Sequence, residues 1–163
     1  MSPSTATTSA YRAPMRTLRV DDGTAAEWAI SAGVVGLEGA IQAQVDSLDD
    51  VLAAVDLELD ERTARRIRRF TLTPAGSLVW TQDRSGELHL GRLGGVQRYA
   101  RDADALRLGL PHRRDCEWGA GPVPVDLVPA AVRETFARGG RNWQQIRADD
   151  GASARLWEHL EGS

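Results

Sequence analysis

The residues best suited to chemistry in this chain are arginines and aromatics. Arg65, Arg66, Arg68 and Arg69 crowd one short stretch, and Arg113 and Arg114 stand side by side in HRRDCEW at 112–118. A guanidinium presents a planar fork that meets phosphate oxygens two at a time, so clustered Arg suits a polyanion. Trp80, Tyr99, Trp118 and Trp143 lie in or beside the segments that read as β. Flat side chains of this kind stack on nucleobases, at about 1–3 kcal/mol per base. Taken one at a time, each has core packing as its plainer role.

Catalytic patterns are thin by comparison. All 20 basic residues are Arg, so no phosphate-cradling loop ending in Gly-Lys is present, and there is no G-x-S-x-G turn. His89, His112 and His159 are scattered, and none has a Cys or His at metal-ligand spacing. His112 and Cys116 fall on one face of a strand, but a Cys–His pair needs an activated thiolate and a third orienting group. No cofactor or metal is expected, and the sequence carries no convincing catalytic constellation. One cysteine excludes an internal disulfide, and no apolar run approaches the ~20 residues of a membrane span. With no apolar leader in the first twenty residues, a cytoplasmic protein is expected.

The net charge of −3 conceals a division along the chain. Residues 1–61 carry 3 Arg against 11 acids, residues 62–147 carry 16 Arg against 8 acids, and residues 148–163 carry 1 Arg against 4 acids. The middle is therefore basic enough to face a polyanion. On the helix around Arg65–Arg69 that reading competes with a simpler one, pairing with the acidic helix before it.

The elements that must position these groups are short. Residues 1–14 are small and polar and read as a mobile leader; MRTLRV at 15–20 alternates as a first strand. Thr24 caps a helix that Gly33 closes, and Val34–Leu37 follows as a buried strand. Helices are expected over 46–56 and, after Asp60, over 61–70. SLVWTQ (77–82) and ELHL (87–90) flank DRSG as a hairpin, and Gly91, Gly94 and Gly95 suggest bulges before Val96–Tyr99. His112–Trp118 is a strand, 126–138 a helix, 142–147 a short strand and 152–160 a final helix. The chain is thus α+β, and five or six short glycine-rich strands favour a small curled barrel flanked by helices.

The ordered set of MRTLRV, VVGL (34–37), ARRIRRFTLTPAGSLVW (64–80), LHLGRLGGVQRYAR (88–101), PHRRDCEW (111–118) and DLVPAAVRETFARGGRNWQQI (126–146) resembles the PUA-like superfamily, in particular its EVE-type modules, which occur in modification-dependent restriction endonucleases. The resemblance covers about residues 15–147, leaving 148–163 as a helical extension. It implies a module for double-stranded DNA that flips a modified base, 5-methylcytosine above all, into an aromatic pocket. Leu37, Trp80, Tyr99, Arg114 and Trp118 would form that pocket, and Arg65, Arg66, Arg69 and Arg113 would hold phosphates. Leu37 stands where the family carries Trp, so Trp80 would replace the lost aromatic wall. A separate nuclease is an implied partner. The alternatives are an RNA-binding module of the same superfamily and a small methyl-directed nuclease using His112.

Overall fold

A computed structural model of the chain describes residues 8–140 and 142–162. Six strands form one mixed sheet: β1 (Ala10–Arg12), β2 (Val34–Leu37), β3 (Leu78–Gln82), β4 (Leu88–Tyr99), β5 (His112–Trp118) and β6 (Gln144–Gln145). Their order across the sheet is β2-β5-β4-β3-β1-β6. Only β1 and β3 run parallel, with Tyr11 opposite Val79; the other neighbours are antiparallel. The outer strands β2 and β6 do not pair with one another, so the sheet is open and the expected closed barrel does not form. The glycines do produce a bulge. The β4–β5 register shifts between Leu93 and Gln97, around Gly94 and Gly95.

Six helices cover the sheet: α1 (Thr24–Ala32), α2 (Leu48–Glu58), α3 (Glu61–Leu72), α4 (Ala103–Leu108), α5 (Ala130–Ala137) and α6 (Ala152–Glu161). The α3 helix starts where its acid demands. The Asp60 carboxylate accepts from Thr63 N at 3.0 Å, a bond that holds this carboxyl below its usual range. The α1 helix begins one residue earlier than its sequence suggests, on Gly23 at φ 90° with no side-chain cap. Thr24 is therefore not the cap, and Glu27 in this first turn accepts from Arg84 N at 2.8 Å.

Side-chain alternation along the strands separates two apolar cores on opposite faces. On β3, Val79 joins Val35, Ile67, Phe70 and Leu110 under α1 to α4, while Leu78 and Trp80 join Leu90, Val132, Leu156 and Trp157 under α5 and α6. Each turned-in face removes several large side chains from water, worth about 1.5–3 kcal/mol apiece.

The expected ends of the domain move outward. Ala10, Arg12 and Ala13 are buried, and the strand lies at 10–12, inside the presumed leader. Residues 15–20 form no strand; Met15 takes φ 49° and turns the chain away from β1. Residues 1–7 lie outside the described part. At the other end α6 supplies Leu156 and Trp157 to the second core, so 148–162 is integral to the fold rather than appended. The expected helix at 126–138 divides into a turn of 3₁₀ helix at Val125–Leu127 and α5, and α4, capped by Asp102, is a further helix.

Candidate nucleic-acid interface

The two arginines of HRRDCEW are both buried, and neither is free for a phosphate. Arg114 sends Nη1 to the carbonyls of Phe70 (2.8 Å) and Thr73 (2.7 Å), and Nη2 to that of Gly94 (2.7 Å). These carbonyls belong to the C-terminal end of α3 and to the β4 bulge, so the cation is matched by a helix dipole instead of a carboxylate. Arg113 holds Asp102 with both Nη atoms, at 2.9 and 3.1 Å, and lies over the Trp28 ring at 4.6 Å. That pairing keeps the Asp102 carboxyl below its usual range, and Asp102 in turn caps α4.

The aromatic residues divide in the same way. Trp80 is fully buried in the second core, where Nε1 donates to Ser153 Oγ at 2.8 Å, and Ser153 Oγ donates to Asp149 at 2.5 Å. Sheet alternation places it on the face opposite Leu37 and Tyr99, so these residues do not share one pocket. Trp118 packs at the far end of β5 and donates to the Val34 carbonyl at 2.9 Å. A Cβ on Gly91 would stand 2.7 Å from both Trp118 and Cys116, so this glycine is what lets the indole lie flat on β4.

Leu37 and Tyr99, in contrast, lie along adjoining cavities. Tyr99 lines one of about 490 Å3, with Ile41, Arg19 and Arg101. Leu37 lines a smaller one of about 200 Å3, with Arg16, Arg66 and Asn142. Leu18 and Glu38 line both. The Tyr99 hydroxyl accepts from Ile41 N at 2.8 Å, and its ring meets His112 edge-on at 5.0 Å. The Arg101 guanidinium lies over the same ring at 4.9 Å, also donating to the carbonyls of Ile41 and Ala43. Beneath them His112 Nε2 and the Gly39 carbonyl are 2.7 Å apart, and burial pushes the imidazole pKa down. A neutral ring with its proton on Nε2 donates this bond. Gly39 has φ 126°, and a Cβ there would come within 2.7 Å of Ile67.

The basic helix is paired with acids along part of its surface only. Arg65 pairs with Glu61 at 2.8 Å and Arg68 with Asp56 of α2, so one row is engaged by acids. Arg66 and Arg69, on the adjacent row, have no carboxylate at ion-pair distance among the described residues. Arg66 reaches the Leu37 cavity, where its Nε is buried without a hydrogen-bond partner. Arg69 lies along a third cavity of about 720 Å3 with Arg138, Arg147, Tyr11 and Trp143, and Asn142 lines this one and the Leu37 cavity alike. Three cavities thus follow one another across the surface, bordered by arginines of α3 and of the loops.

No protein family, no curated protein and no solved structure matches the chain.

The basic middle of the sequence is therefore partly used up at home. Arg65, Arg68, Arg84, Arg92, Arg98, Arg107 and Arg113 all face an acid at 3.2 Å or less. Of the described arginines with no described carboxylate at ion-pair distance, Arg62, Arg133 and Arg155 lie exposed elsewhere, while Arg19, Arg66, Arg69, Arg101, Arg138 and Arg147 line the cavities. Most of these escape a sequence reading because they are single arginines on loops. Tyr11 escapes because it sits in a segment that reads as a leader. Among the described residues no three His, Cys, Asp or Glu side chains gather as metal ligands would. The Cys116 thiol is buried and its pKa is pushed far up, by burial first, which leaves it without nucleophilic character.

Proposed function

We propose that this chain is a DNA-binding module that recognises a modified base, 5-methylcytosine in the first instance, taken out of the duplex into the cavities at Leu37 and Tyr99. The observation that carries this reading is the juxtaposition of those two cavities with Arg19, Arg66 and Arg101, Arg16 beside them being paired with Asp22 at 3.6 Å. An apolar recess beside cations is what a flipped nucleotide requires, a place for the base and partners for its flanking phosphates. The 490 Å3 volume falls within the roughly 300–1,000 Å3 of ordinary ligand pockets. Arg101 and Tyr99 together form the stacking platform, the guanidinium plane offering the base a flat cationic surface. Trp80, Trp118, Arg113 and Arg114 support the fold around this site and make no contact with the base in this reading. The PUA-like resemblance supports the same class of ligand.

Comparison of methylated and unmethylated duplexes by fluorescence anisotropy tests the proposal. A methyl group filling an apolar recess favours the methylated duplex by about 1–3 kcal/mol. Equal affinities at moderate salt would overturn modification reading. Tighter binding of structured RNA than of either duplex would support the RNA-binding alternative instead.

A further inference from the structure

The third cavity has a composition of its own. It runs between the end of α3, α5 and the edge strand β6, and it is walled by the aromatic pair Tyr11 and Trp143 together with Arg69, Arg138 and Arg147. The two rings are stacked, with centroids 5.2 Å apart and planes 11° from parallel. Trp143 is almost wholly buried and held from behind by Phe70, edge-on at 5.0 Å, whereas Tyr11 keeps part of its surface open. Tyr11 is therefore a rigid plate, fixed by β1 on one side and by Trp143 on the other.

The three arginines are exposed and are not in ion pairs with described carboxylates; Arg138 alone has a side-chain partner, Thr135 Oγ1 at 3.0 Å. Glu134 is the only acid among the described lining residues, so the groove is strongly cationic. Asn142, Gln144 and Gln145 also line the groove; Gln144 Oε1 accepts from Arg12 at 2.8 Å and Gln145 Nε2 donates to Ser9 Oγ at 3.2 Å, which leaves Asn142 as an amide able to donate to and accept from base edges.

We propose that this groove binds a single-stranded nucleic-acid segment, with one base stacked on Tyr11 and neighbouring phosphates on Arg69, Arg138 and Arg147. A duplex hides its base faces, whereas an unpaired strand exposes them to an aromatic plate. An acidic peptide would match the charge and leave the tyrosine and the amide without a task. The inference rests on the nucleic-acid reading of the chain and is independent of the base cavity at Leu37 and Tyr99.

The test is direct binding of a fluorescein-labelled oligothymidine of about ten nucleotides to the full chain across a salt series. The double variant Arg69→Gln/Arg147→Gln is expected to bind roughly tenfold more weakly, with the slope of log affinity against log salt flattened by about 1.4. Tyr11→Leu, which retains an apolar contact with Trp143, is expected to lose about fivefold or more. Arg107→Gln removes one charge elsewhere and is expected to leave affinity near that of the parent. No binding by the parent, or parent-like affinity in the double arginine variant, overturns the proposal. Displacement of the oligothymidine by an oligoglutamate peptide at equal charge also overturns it. The arginine pair is exposed and outside both cores, so its result does not depend on the stability of Tyr11→Leu. Indifference to methylation, with the oligothymidine results as expected, would remove the base-cavity reading and support this one.

Discussion

Arg114 Nη1 donates to the Phe70 carbonyl at 2.8 Å, which makes a guanidinium from the most DNA-like motif of the sequence the seal on the end of α3. Arg12 does the same for α5. Its Nη1 donates to the carbonyls of Thr135 at 2.9 Å and Gly139 at 2.7 Å, and burial lowers its pKa. Both cations are desolvated with no carboxylate beside them. The negative ends of two helices supply the compensation.

Replacing Arg114 by Met would leave the carbonyls of Thr73 and Gly94 without this donor and that of Phe70 with only the long bond from Thr73 N at 3.4 Å. The expected loss is about 1–3 kcal/mol of stability for each carbonyl left unsatisfied, measured as a shift in the urea midpoint. Nucleic-acid affinity per folded molecule is expected to stay at the parent value, because the side chain reaches no open surface.

Trp80→Phe removes the indole N–H from Ser153 and part of a fully buried ring. A destabilisation of about 1–3 kcal/mol is expected by thermal unfolding, with the preference for methylated duplex retained. Loss of that preference in a folded variant would return Trp80 to the base pocket.

Arg19→Gln and Arg101→Gln should each reduce the salt dependence of duplex binding by about 0.9 in the log–log slope, as expected for one phosphate apiece. Arg101→Gln should also diminish the proposed methyl preference, since it removes the guanidinium that lies over the Tyr99 ring. Titration of both duplexes across a salt series separates the two effects.

The buried His112 makes stability depend on pH near neutrality. Its folded pKa lies below the ordinary value, so the unfolded chain takes up a proton first as pH falls through about 6.5. Stability is therefore present above that pH and declines below it, by at most about 1.4 kcal/mol per pH unit, until the folded pKa is passed. Asp60, Asp83 and Asp102 have lowered pKa values, and their contributions are lost only as pH falls through the acidic range. Between pH 7.5 and 5.5 the urea midpoint of the parent is expected to fall, and that of His112→Gln to fall less.

Local chemistry was legible wherever it was self-contained. Asp60 announces α3, Gly33 closes α1, and β5 runs over the residues that alternate in HRRDCEW. Face assignment was not legible, because the alternation of a strand states that Val79 and Trp80 part company without stating which core each joins. Nor could a run of arginines declare its partners. Arg113 stands next to Arg114 in sequence, yet one is held by Asp102 and the other by three carbonyls brought from α3 and β4. Tyr11 was hidden by its neighbours. Small polar residues read as a leader, and the strand at 10–12 exists because β3 and β6 offer it hydrogen bonds from far along the chain.

That last arrangement governs how the molecule is made. Tyr11 lies opposite Gln145, so β1 finds its second neighbour only after Gln145 has been made. During synthesis β1 can dock on β3 once residue 80 has emerged, but its other edge stays open until residues 144 and 145 leave the ribosome. Between those two events the growing chain carries an exposed strand edge, and in that interval it is open to misassociation.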